Sequence, residues 1–439
     1  MPAAPTTIRR RVPTATFIVM RMVVFTAITL LISGWMMLSS GCRKAETKPS
    51  ANDICSRFLG IRSSQMQDEA HAKHLAIPAE YDAVLRAVNT DDRAGASNAF
   101  YRVWNCIHRY YDNVNPDPRL DNALWPYLQE MYWGFEAVNT WHPGLIRMYG
   151  QDILSEIPSN SVFFGGTDPG RFVITAFQEA TRQPFYVVTQ TALADNVYME
   201  YLRNRINNAI WLPEQDDLQG AIGQYVQDVE SGRAPTNIDI NIENDHVTTK
   251  NAAGVMVING IIAKLIFDKN KTNHAFYVEE SYVISWMYPY LQPAGLIMKL
   301  NPEPTDLTSE MVAADRRFWD AYTERLMTHP DFVRDVRAQK AYSKMRLAIA
   351  SLLAYRGRTN EAEYAFNQAR KLHPASLEGA VRFADFYEKG RRWDEAIAVL
   401  EAYLKFDQKN AFVNAGIADF QKRLASDRKG SKQPSYRTR

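Results

Sequence analysis

The chain has 439 residues, 46% of them hydrophobic and 23% charged, a composition and length that fit a globular protein of two or three domains. Its net charge is +2, but Arg9, Arg10, Arg11 and Arg21 all precede Cys42 and no acid does. Taking those four from 51 basic residues leaves 47 against 49 acidic ones, so the chain beyond Cys42 offers no basic footprint for nucleic acid.

Residues 1–42 read as a signal or anchor segment. A basic stretch precedes the apolar run Met22–Leu38, and Ser39-Ser40-Gly41-Cys42 follows. Two readings fit. Small residues before a cysteine resemble a bacterial lipobox, with Cys42 lipidated, although Leu38 stands four residues before the cysteine rather than three. Alternatively Thr16–Leu38 is an uncleaved span, since it approaches the ~20 residues a bilayer requires. Both readings tether the protein to the membrane of a bacterial envelope with its body outside the cytoplasm. Cys55 and Cys106 then either form one disulfide or stay as two buried thiols. Residues 43–77 are polar and read as a linker with room for one short helix.

From 78 to 158 the pattern is helical. Tyr101, Trp104, Cys106, Ile107 and Tyr110 recur at three- and four-residue steps, as do Trp125, Leu128, Tyr132 and Phe135, and both stripes read as core packing.

Residues 159–303 change character. Short apolar runs at Ser161–Phe164, Phe185–Thr189, Phe276–Glu280 and Gly295–Leu300 have strand length. Asn196–Ile206, Leu218–Gly232 and Val255–Phe267 are helical, and Asn237–Val247 reads as a strand or small hairpin. Alternating strands and helices predict an α/β fold: a mainly parallel, three-layer sheet domain with flanking helices, its last strand pair adding an antiparallel edge.

The stretch Gly165-Gly166-Thr167-Asp168-Pro169-Gly170-Arg171 joins the first strand to a helix. Its spacing is near that of a phosphate loop, but Arg171 and Phe172 replace the lysine and the hydroxyl residue, so no nucleotide cofactor is expected. Two readings remain. One is structural: a tight turn with left-handed glycines, with Thr167 or Asp168 capping the helix after Pro169. The other is functional. In a parallel sheet the strand ends share a rim, which would bring Gly165, Gly166, Thr167, Asp168, Arg171, Gln190, Asp195, Glu279 and Glu280 toward one ligand crevice. The histidines form no close ligand pair, so no metal is expected.

Residues 304–340 predict connecting helices. Beyond them Ala350, Ala362, Phe366 and Ala369 are followed 34 residues later by Ala384, Ala396, Leu400 and Tyr403, the tetratricopeptide period. Gly357 closes the first turn, whereas Gly390 sits one residue early in the second. Residues 341–425 therefore read as two repeats with a capping helix, through which a protein partner could bind, and 426–439 as a disordered tail.

Val162-Phe163-Phe164, Gly166-Thr167-Asp168, Phe172, Phe276–Glu279 and Tyr290–Ile297 together resemble the soluble C-terminal region of bacterial membrane glycosyltransferases related to protein O-mannosyltransferases, in which tetratricopeptide repeats also follow. Those enzymes carry a multi-span membrane domain that this chain lacks. The resemblance implies an accessory binding or scaffolding protein in envelope glycan or glycoprotein assembly. The alternative is an enzyme acting on a glycan or polyprenyl-linked sugar through the strand-end carboxylates.

Overall fold

The computed structural model describes residues 49–107, 117–166, 169–233, 240–243, 246–249, 252–279 and 284–430. Cys42 and the Met22–Leu38 run lie outside them, as does the tail from 431; residues 426–430, expected in that tail, instead end a helix, where Asp427 accepts from Trp393 and Arg391. Among the described residues no helix is long and apolar enough to cross a membrane.

The segment read as a linker holds a 22-residue helix, α1 (Ala51–Ala72). Ser50 and Asp53 exchange the two hydrogen bonds of a capping box at its start. Ile54, Cys55, Phe58, Arg62 and Met66 form its buried face, packed on α4 (Trp125–Thr140) and α6 (Ile174–Thr181). Cys55 and Cys106 are free thiols rather than a disulfide; the first is buried and the second exposed. Burial pushes the Cys55 thiol up to about 12, which leaves it inert as a nucleophile at neutral pH.

Helices α2 (Ala79–Asn89) and α3 (Arg93–Ile107) form a hairpin. The buried face of α3 is Ala96, Ala99, Phe100, Val103 and Ile107, so Tyr101 at 44% exposure and Cys106 lie off the expected stripe. Phe100 takes that place and stacks on Tyr132, their centroids 3.8 Å apart. On α4 the predicted stripe of Trp125, Leu128, Tyr132 and Phe135 is buried. Helix α5 (Pro143–Glu156) leads from there into the sheet.

That sheet has β1 (Val162–Gly165), β2 (Tyr186–Thr189), β5 (Phe276–Glu279), β6 (Leu291–Ala294) and β7 (Ile297–Leu300) in the order β2-β1-β5-β7-β6. A separate hairpin pairs β3 (Ile240–Glu243) with β4 (His246–Thr249). The expectation of a mainly parallel sheet domain needs correcting. Among the described residues only β2-β1-β5 is parallel, β5-β7 and β7-β6 are antiparallel, every strand has four residues, and helix dominates. The local cause is the turn at Gly295, whose φ of +65° reverses β6 into β7 directly, where a parallel neighbour would need a crossover. Pro293, which has no N–H, is confined to the edge strand β6.

Helices α7 (Asn196–Ile206), α8 (Gln215–Glu230) and α9 (Ala252–Asn270) complete this part. The fully buried Asn259 of α9 accepts from the Ala194 N–H at 2.7 Å and donates to the Thr191 carbonyl at 3.0 Å, which fixes the chain leaving β2.

Helix α10 (Ser309–Thr328) then leads to α11 (Val336–Tyr355), α12 (Thr359–Leu372), α13 (Leu377–Lys389), α14 (Trp393–Leu404) and α15 (Ala411–Gly430). Ala362, Ala369, Ala384 and Ala396 are buried, and these small residues let paired helices approach. Gly357 has φ +71° at the first turn. At the second, the left-handed position falls on Arg391, φ +54°, which is why Gly390 looks displaced in sequence.

These helices are tied to the rest of the molecule. Arg346 of α11 meets Asp315 of α10 at 2.7 Å with both side chains buried, and donates to Gln368 at 2.9 Å. Arg356 and Arg358 donate to the Pro289 and Leu307 carbonyls at 2.6 Å each.

Candidate functional site

The parallel register sets Gly165 between Thr189 and Glu279, so three strand ends do share one rim. The chain folds back onto it through a π-helical turn, Pro169–Val173. A Cβ on Gly165 would lie 2.6 Å from the Gly170 carbonyl oxygen, and one on Gly170 would lie 1.9 Å from a Glu279 carboxylate oxygen. Neither glycine has a left-handed φ. The turn therefore needs glycine for close backbone approach, which corrects the left-handed reading. Glu279 is buried and accepts from the Tyr149 hydroxyl at 3.2 Å. Tyr149 in turn meets the Tyr342 ring of α11 edge-on at 5.7 Å. A contact chain thus runs from strand end to the first C-terminal helix.

The remaining strand-end candidates have structural partners of differing kinds. Arg171 donates to Gln129 at 3.0 Å and lies over the Phe172 ring. Asp195 caps α7, accepting from the Val197 N–H at 2.8 Å, and is exposed. Gln190 is fully buried, and neither end of its amide has a partner among the described residues. Gly166 is half-buried; Thr167, Asp168 and Glu280 lie outside the described residues. With the Glu279 carboxylate against Gly170, the described part of this rim joins β5 to the chain after β1.

A second polar cluster sits deeper. Arg62 meets Glu130 at 2.8 Å and Glu179 at 3.4 Å, Arg205 meets Glu179 at 3.5 Å, and the Tyr201 hydroxyl donates to Glu130 at 2.7 Å. Burial alone would lower the Arg62 guanidinium, but Glu130, Tyr201 and Glu179 outweigh it and hold the group above its usual value. Two arginines against two carboxylates neutralise one another, and the cluster joins α1, α4, α6 and α7.

Two histidines far apart in sequence also meet. His142, His329 and Asp331 bring one ligand atom each within 4.8 Å, with His142 Nε2 3.3 Å from an Asp331 carboxylate oxygen. Each ring's Nδ1 accepts a backbone N–H, from Gly144 and Asp331 respectively, at 3.2 Å. That bond leaves the proton of a neutral ring on Nε2, where a metal would bind. The trio brings the two segments together through the approach of His142 to Asp331.

A further open feature lies on the C-terminal helices. A groove of about 530 Å³ runs between α11 and α13 and ends against Tyr288. Tyr355, 57% exposed, stacks on Tyr288 at 4.7 Å, and Phe386 is half-buried beside it. The walls are braced: Arg382 donates to Ser351 at 2.9 Å, and Arg392 meets Glu363 at 2.6 Å. Lys389 is exposed and has no ion pair among the described residues. An exposed aromatic at a helix end has no periodic signature, so Tyr355 escapes sequence reasoning.

A tetratricopeptide repeat family model matches residues 353–418. The C-terminus carries tetratricopeptide repeats. Ser351, Ala354 and Tyr355 of α11, Thr359 and Phe366 of α12 and Arg382, Asp385, Phe386 and Lys389 of α13 line the groove. Among curated proteins none matches the chain.

Proposed function

We propose that the protein is a binding scaffold that holds an extended segment of a partner protein in the groove of its tetratricopeptide repeats. We further propose that residues 1–42 tether it at the outer side of a bacterial membrane, where it serves envelope glycan or glycoprotein assembly. The observation that carries the binding reading is the open groove, with Tyr355 and Phe386 offering apolar contact and Arg382, Lys389 and Arg392 set against one acid, Asp385, in its lining. Such a surface suits a segment with an apolar or aromatic side chain beside an acid. The braced walls support it further, since a preformed groove loses little freedom on binding. An enzyme at the strand ends would need an accessible carboxylate; Glu279 is buried and does not offer one, while Asp195 is exposed and serves as a helix cap.

Native electrophoresis of gently solubilised envelopes tests the reading. The full chain should migrate in an assembly larger than itself, and Tyr355→Ala with Phe386→Glu should return it to its own size while it stays folded. Equal migration of the two forms would reject the groove as the binding surface. Protease treatment of spheroplasts tests the location: the body should be digested from outside, and a protected body would reject it.

A further inference from the structure

A second, smaller cleft lies between α4, the turn at Pro169–Val173 and α11, and has a volume of about 120 Å³. Trp133, Trp141 and Phe172 wall it, with the latter two buried. Arg337, Lys340 and Lys344 stand at its rim. On a helix these positions fall on one face, so α11 presents three cations to one opening. Glu136 is the acid in the lining, and it meets Arg337 at 2.8 Å; Lys344 meets Glu378 at 3.4 Å. Lys340 has no ion pair among the described residues.

Size, wall and charge each constrain an occupant. An enclosed apolar cavity of about 150 Å³ holds benzene, so the about 120 Å³ of this open cleft is on the scale of one six-membered ring rather than of a wholly enclosed nucleotide. Its floor is aromatic and aliphatic, which favours an apolar ring over a sugar whose hydroxyls would go unpaired. Its rim is cationic, which favours an anionic substituent pointing outward.

We propose that this cleft binds a small anion built on one aromatic ring, the ring against Trp133, Trp141 and Phe172 and the carboxylate or phosphate group at Lys340. The site is separate from the repeat groove and does not rest on its role. It spans the seam between the sheet-bearing part and α11, so an occupant would brace that seam. The ion pair between Glu136 and Arg337 makes a specific demand: the Glu136 carboxylate competes with the ligand's anionic group for the same guanidinium.

Calorimetric titration of the full chain with benzoate and with phenyl phosphate tests this, with benzyl alcohol and inorganic phosphate as partial mimics. At least one aromatic anion should bind one to one, and each partial mimic at least about tenfold more weakly. Lys340→Glu should weaken the aromatic anion by about tenfold or more. Glu136→Gln should tighten it severalfold by freeing Arg337. Circular dichroism and melting confirm that both variants fold. Failure of both aromatic anions to saturate by about 10 mM would overturn the proposal. So would binding unchanged in both variants, or inorganic phosphate binding as tightly as phenyl phosphate.

Discussion

The strand-end rim and the repeat groove are opposites in how they use their polar groups. At the rim, the glycine backbone and the buried Glu279 carboxylate close on each other, and Tyr149 seals the inner side. At the groove, paired charges brace the walls and leave Tyr355 and Lys389 turned outward. A strand end in an α/β arrangement is a common ligand position, but the topology supplies only the place. Whether the place is open depends on side chains arriving from distant elements.

That contrast can be broken at the joint between the two regions. Asp315→Ala should cost about 3–5 kcal/mol, because it strands the buried Arg346. Burial already works against both charges, pulling the Arg346 guanidinium below and raising the Asp315 carboxyl above their usual values. Asp315→Leu combined with Arg346→Met should recover most of the loss. Urea unfolding of the three variants checks this. Near-zero cost for Asp315→Ala would mean that the repeats are not anchored there.

The rim offers the next largest effect. Gly170→Ala should cost about 1–3 kcal/mol, since its methyl would fall 1.9 Å from the Glu279 carboxylate. The same change in a Glu279→Ala background should cost clearly less, and the double-mutant cycle measures that contact. Equal costs in both backgrounds would show that the contact carries no strain.

Glu156 gives a graded test beneath the β6–β7 turn. Burial raises its carboxyl to about 8, against the opposing pull of the Leu296 and Ile297 N–H groups. The folded state then keeps a proton that the unfolded chain releases near 4.5. This contribution to stability is complete below about 4.5 and is lost as pH rises through about 8, at no more than about 1.4 kcal/mol per pH unit. Denaturation between pH 5 and pH 8 should show the slope, and Glu156→Gln should flatten it. An identical slope in the variant would assign it to other groups.

How far the sequence carries varies by region, for physical reasons. The repeats are legible because Ala362 and Ala396 stand 34 residues apart and each packs against a neighbour close in the chain. Helix α1 is not, because Arg62 interrupts its apolar face and only the distant Glu130 explains a charge there. On α3 the conspicuous Tyr101 masks the true core residue Phe100 one position away. The strand-end positions of Gly165 and Glu279 follow from the pattern of short apolar runs. Their closure does not, since Tyr149 and the folded-back Gly170 come from elsewhere. The sheet's antiparallel half turns on Gly295, a single residue. The meeting of His142 with His329 has no local trace at all.

The smallest stability effect belongs to the groove. Tyr355→Ala should cost about 0.5–1.5 kcal/mol through the lost stack on Tyr288, yet abolish partner binding. A photo-reactive side chain placed in living cells, at position 355 in one strain and at 166 in another, compares the two regions most directly. The account predicts a discrete protein adduct from 355 that Phe386→Glu removes, and none from 166. An adduct from 166 with none from 355 would contradict it, and would return the functional surface to the strand ends.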